Sequence, residues 1–178
     1  MQKDSIKKLY ILQVREGGIS SLTFGTLNEN EKSMLYEKEG RYYLNKDFRN
    51  QIRVVMTGGG FDIIHIGHIH TLKDAKAHGD VLIVSIARDD LIMKNKGRLI
   101  NSQEVRAQIV EALKPVDLAL VGVDDPKTTF EKVKPQVIVY GYDQNPFLKP
   151  DGVEIVKLEK FIFPEKFKTS KMIEQMGL

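Results

Sequence analysis

The chain of 178 residues contains no cysteine. That excludes disulfides, thiolate metal sites and a cysteine nucleophile, and it fits a reducing compartment. Long hydrophobic runs are missing as well. The apolar stretch "VLIVSIA" is far too short to cross a bilayer. The opening "MQKDSIKKLYILQVREGG" has no apolar segment leading to a small-residue cleavage site. Charge of one sign is scarce: a net +3 does not demand nucleic acid or an acidic surface as partner. There is no internal repeat and no low-complexity tract. These absences lead us to expect a cytoplasmic protein with no membrane partner. What is present, 42% hydrophobic and 29% charged residues, suffices for one domain with a real core and a small appendage.

Residues 1–50 differ from the rest. Ile6, Leu9, Tyr10 and Leu12 recur at roughly helical spacing, and Gly17 and Gly18 close that helix. "NENEKSMLYEKEGRYYL" predicts a second short helix and a hairpin with its tip at Gly40. Helix, helix and wing resemble part of a winged-helix domain. No arginine-rich recognition helix accompanies them, so packing is expected of this appendage rather than DNA binding.

Over residues 51–178 the pattern alternates between strand and helix. "RVVMTG", "VLIVSIA", "LALVG", "QVIVYG" and "VEIVKL" read as strands. The intervening helices are expected over "HIGHIHTLKDAKAHG", capped by Gly79, over "NSQEVRAQIVEALKP", with Asn101 and Glu104 at capping-box spacing, and over "PKTTFEKVKP". A final helix is expected over "TSKMIEQM". The segment "ARDDLIMKNKGR" reads as a basic loop. This alternation predicts an α/β fold, a Rossmann-like open parallel sheet with helices on both faces.

The chemistry gathers where the first strand of that domain gives way to a helix. Gly58, Gly59 and Gly60 let backbone N–H groups approach an anion without a Cβ in the way. The helix that follows adds unpaired N–H donors and the positive end of its dipole. His65 and His68, three apart, share a helix face, and Gly67 between them clears space for a phosphate. Imidazole N–H groups aimed there would stabilise charge that builds in a transition state. The run is neither a P-loop, which needs GxxxxGK[ST], nor GxGxxG. A zinc site would have only these two imidazoles, with no third ligand evident nearby. His70 and His78 are expected to take no chemical part.

"GGGFDIIHIGHIHTLKDAKAHGD" resembles the nucleotidyltransferase superfamily marked by the HxGH signature, in its cytidylyltransferase-like branch. Phe61, Asp62, Ile63, Ile64, His65, Ile66, Gly67 and His68 match the branch in order. Gly60 departs from it, since threonine or valine is commoner there. The resemblance runs from about Arg53 to the C-terminus and leaves residues 1–50 unexplained.

That resemblance implies a set of roles. His65, His68, Lys94, Lys96 and Arg106 are the catalytic candidates, with Arg98 beside the lysines. Gly59, Gly60, Phe61, His65, Gly67, His68, Asp143, Thr169 and Ser170 are the nucleotide-binding candidates, and Lys160 stands where relatives place a basic residue before the last motif. It implies transfer of a nucleoside monophosphate from an NTP to a phosphate-bearing acceptor, with Mg²⁺ carried on the nucleotide and no protein metal ligands. "ARDDLIMKNKGR", "EALKPVD" and "GYDQ" look most like the archaeal FAD synthases, so ATP and FMN are the expected substrates and a homodimer the expected assembly. Base choice would rest on strand-end backbone with Gln144 or Asn145. Tyr142, Phe147, Phe161 and Phe163 are the aromatics available for a flavin slot, at least two of them being expected in the core. The alternatives are a CTP-dependent enzyme acting on glycerol 3-phosphate or a similar alcohol phosphate, and a nucleotide-sensing DNA-binding regulator.

Overall fold

A computed structural model of the chain describes residues 2–123, 125–142 and 144–159. Its contacts divide into two compact units, residues 1–53 and 54–178.

The first unit opens with α1 (Gln2–Glu16), whose Ile6, Leu9, Tyr10 and Val14 are buried. Leu12, grouped with them by spacing, is only half-buried; Val14 completes the stripe, at the i+4 position from Tyr10. Two further short helices follow. α2 (Ser21–Gly25) is capped by Ser20, and α3 (Glu29–Ser33) by a reciprocal capping box between Asn28 and Glu31. β1 (Leu35–Lys38) and β2 (Arg41–Leu44) then form an antiparallel hairpin. Its two turn residues, Glu39 and Gly40, both have positive φ, 53° and 74°. That is the left-handed turn geometry matching the twist of paired strands. A bridge from Ile19 to Tyr42 adds a third partner to the hairpin, and α4 (Lys46–Arg49) follows it. The helix preceding the wing, Glu-Asn-Glu-Lys-Ser, carries two acids and a single lysine. A phosphate backbone would be repelled there rather than held.

The second unit is a five-stranded parallel sheet. Its strands are β3 (Val54–Gly59), β4 (Val81–Ile86), β5 (Leu118–Val121), β6 (Val137–Tyr140) and β7 (Glu154–Lys157), ordered β5-β4-β3-β6-β7. β4 and β6 are buried almost throughout and β3 up to Thr57, as strands covered on both faces should be. α5 (Ile66–Lys76) and α7 (Gln103–Glu111) contribute Leu72, Ala75 and Val110 to a core with Val55, Leu82, Val84 and Val137. α8 (Pro126–Val133) has proline in its first turn and an Asp125 cap.

Three local expectations differ from what forms. The segment read as a basic loop is a helix, α6 (Asp89–Lys96). Its acids Asp89 and Asp90 lie in the first turn, Lys94 and Lys96 in the last, and Gly97 ends it at φ 71°. α7 is capped by Ser102 rather than Asn101, because Asn101 is engaged with Asp62. α5 ends at Lys76 with Ala77 as its C-cap, two residues before Gly79. The expected last helix lies outside the described residues.

β3 is central, and the chain leaves it to one side for β4 and to the other for β6. The carboxyl ends of adjacent strands diverge at such a reversal and open a crevice for ligands. Gly58 suits the close approach of the strands there: a Cβ would sit 3.0 Å from the Ser85 carbonyl oxygen of β4.

Candidate active site

The crevice is a cleft of about 510 Å³ at the carboxyl ends of β3, β4, β5 and β6. Gly58, Gly59 and Gly60 form its floor, and α6 gives one wall through Leu91, Ile92, Lys94 and Lys96. Val123, Ile138, Tyr140, Phe147 and Leu148 line the apolar remainder. Phe147 is 72% exposed and meets Tyr140 edge-on at 5.5 Å between ring centroids. A phenyl ring left in water at the rim of an apolar cleft has stacking surface to offer a planar ligand. Tyr140 is fixed by its hydroxyl, which donates to Leu148 O and accepts from Leu148 N.

His65 is the N-cap residue of α5 but makes no side-chain cap bond. His68 lies one turn further on, and the two rings stack with centroids 3.8 Å apart and planes 23° apart. Phe61 packs against His68 at 5.1 Å. Both Nδ1 atoms are buried and make no hydrogen bond among the described residues. Burial, then the Lys96 charge, lowers the pKa of His65. Burial first, then His65 and Lys96, drives His68 down to about 3, against an opposing contribution from the Ile63 main chain. Both imidazoles are therefore neutral at pH 7, hydrogen-bond donors through one nitrogen rather than cations. Gly67 is buried in the first turn of α5.

Lys96 connects the histidines to the cleft. Its Nζ is 3.9 Å from where a Gly60 Cβ would stand, and its charge acts on both imidazoles. Gly59, Gly60, Lys94 and Lys96 line the cleft; Phe61, His65 and His68 form a cluster beside it. Arg106 does neither. Its side chain has no solvent exposure and its guanidinium points into the protein, a placement helical spacing alone could not disclose. Gln144, expected among the base-reading groups, has both ends of its amide engaged. Its Oε1 accepts from Gly141 N and its Nε2 donates to Gly58 O, so it ties the ends of β6 and β3 together. Asp143, Lys160, Phe161, Phe163, Thr169 and Ser170 lie outside the described residues.

Sequence reasoning missed the structural part of Asp62, which is 4% exposed and accepts from the Ile100 and Asn101 N–H groups. It also missed α6 as a helix, although the charge order of Asp89-Asp90 followed by Lys94, Lys96 and Gly97 was a readable signal.

Comparisons with known proteins agree with this geometry. The family model described as cytidylyltransferase-like matches residues 56–173. The FAD synthase of Thermococcus sibiricus is 41% identical over 142 residues, covering 72% of this chain and 94% of the relative. That of Pyrococcus horikoshii is 41% identical over 138 residues, covering 71% and 93%. Among solved structures, the lipopolysaccharide core biosynthesis protein from Thermoplasma volcanium is 37% identical with a TM-score of 0.55, covering 62% of this chain and 99% of that one. A glycine floor, a neutral histidine pair and two lysines at the switch point of a parallel sheet suit transfer of a nucleotidyl group. The chain belongs to the cytidylyltransferase-like family and is a nucleotidyltransferase.

Proposed function

We propose that the enzyme adenylylates FMN: ATP and FMN give FAD and pyrophosphate. The carrying observation is the similarity to FAD synthases over nearly their whole length, on a chain whose cleft pairs lysines with an apolar aromatic wall. A phosphate oxygen of FMN attacks the α-phosphorus of ATP, and the bond from that phosphorus to the bridging oxygen of the β-phosphate breaks. The acceptor phosphate is already ionised at neutral pH, so no general base is needed, and the work is positioning and charge stabilisation.

In this reading His65 and His68 donate N–H groups to the α-phosphate oxygens, where negative charge concentrates as the new bond forms. Being neutral, they bind the ground state less tightly than cations would, which favours selective binding of the transition state. Lys94 and Lys96 take the charge of the leaving pyrophosphate. Asp143, Thr169 and Ser170 keep their proposed places at the nucleoside and the phosphates. The charge neutralisation that Mg²⁺ supplies when bound belongs on the nucleotide's own phosphates. Among the described cleft-lining residues Asp90 is the sole carboxylate, and it is paired with Arg88. A cytoplasmic homodimer completes the reading, with Val105 and Ile109 of α7 exposed as a second copy's cover would require.

The test pairs ATP or CTP with FMN or glycerol 3-phosphate, following pyrophosphate and separating flavin products by chromatography. FAD from ATP and FMN is expected. Turnover of glycerol 3-phosphate with CTP, and none of FMN with ATP, would overturn the substrate assignment.

A further inference from the structure

Arg106 is fully buried, and a buried guanidinium persists only when its donors are met. Here Nε donates to Asn101 O at 3.0 Å, Nη1 to Gly60 O at 2.5 Å and Nη2 to Asp89 Oδ1 at 2.6 Å. Asp89 is the first residue of α6, and its N–H donates to Gln103 Oε1 of α7 at 3.1 Å. Asn101 in turn donates through Nδ2 to Asp62 O at 2.7 Å, and its N–H donates to Asp62 Oδ1 at 2.8 Å. One guanidinium thus ties the glycine turn to the start of the helix that carries Lys94 and Lys96. Neither Arg106 nor Asp89 nor Asp62 lines the cleft.

The bond to Gly60 has a stereochemical consequence. In a trans peptide the carbonyl and the following N–H point in opposite directions. With Gly60 O held inward by Arg106, the Phe61 N–H is turned the other way, and it makes no hydrogen bond among the described residues. Phe61 has φ 52°, a left-handed conformation that a bulky residue adopts only where its surroundings enforce it.

We propose that Arg106 is a positioning residue: by holding Gly60 O and Asp89 together it aims the Phe61 N–H and sets the distance between the histidine cluster and the lysines of α6. This rests on the nucleotidyl-transfer reading of the site. It predicts a loss in turnover rather than in nucleotide binding, because the groups it aligns matter most when charge develops.

The test uses the full chain with Asp89→Asn, Arg106→Lys and, for the tie through α7, Gln103→Ala. Folding is checked by circular dichroism, and assays run well below each melting temperature. In folded Asp89→Asn and Arg106→Lys, kcat should fall roughly 10- to 100-fold, the scale of a misplacement near 1 Å, with KM and Kd for ATP little changed. Gln103→Ala should shift the same way by less. If Arg106→Lys does not fold, the other two decide. A lower melting temperature with kcat unchanged overturns the proposal, and so does a rise in KM with kcat unchanged. A second readout is independent of turnover: ATP should shift the Phe61 amide resonance in the wild type and do so weakly in Asp89→Asn. Equal shifts in both overturn the proposal. A wild type inactive with every substrate pair counts instead against the functional reading.

Discussion

Acidification tests the state of His68 directly. An imidazole in the unfolded chain titrates near 6.5, whereas burial and the neighbouring His65 and Lys96 hold His68 down to about 3 in the fold. Between pH 7 and pH 5 the unfolded chain therefore takes up about three quarters of a proton at this site and the folded protein almost none. Since the unfolded state binds the more protons, stability falls as pH falls below 6.5 and goes on falling towards 3. The folded-state gain is fully present above 6.5. Integrating between pH 7 and pH 5 gives a loss of about 2 kcal/mol from His68 alone. Urea unfolding followed by far-ultraviolet circular dichroism should show it. The wild type should lose about 2 kcal/mol more over that interval than His68→Gln, since other titrating groups contribute alike to both. A titration of the His68 imidazole by NMR gives the pKa itself. A midpoint near 6.5, or equal acid sensitivity in wild type and variant, would refute the reasoning. Lys96→Met should move both histidine midpoints upwards, because the charge that depresses them is gone.

Three further outcomes follow from the site. His68→Ala should keep the fold yet lower turnover about 10²-fold, as loss of one transition-state donor does; near-wild-type turnover in a folded variant would remove the histidine pair from the mechanism. Phe147→Ala should raise KM for FMN with little change in melting temperature, since the ring is 72% exposed and little packing is lost; an unchanged KM would place the flavin elsewhere. Deleting residues 1–53 should leave the parallel-sheet unit folded and active, because the cleft and histidine cluster are built from residues beyond 53; unfolding of the truncated chain at neutral pH would count against this.

Much of the fold follows from local patterns. Apolar runs at 54–56, 81–84 and 137–140 mark strands covered on both faces, and the helices between them leave only a parallel sheet. The glycine turn and the shared face of His65 and His68 were legible as well, from their three-residue spacing at a helix start; the stacking of the two rings was not. α6 was within reach through its charge order and Gly97, but two lysines in a polar segment read equally well as a solvated loop. What sequence spacing could not supply was the destination of side chains whose partners are far along the chain. Arg106 meets Gly60 across 46 positions, and Gln144 meets Gly58 across 86. Helical and strand periodicity identify a face. Only packing decides whether that face meets solvent, ligand or a buried carbonyl. The sequence alone determined the sheet, the turn and the histidine pair; the tertiary structure turned Arg106 inward, committed Gln144 to the main chain and left Phe147 at the rim, because each depends on what the fold brings within hydrogen-bond or contact distance.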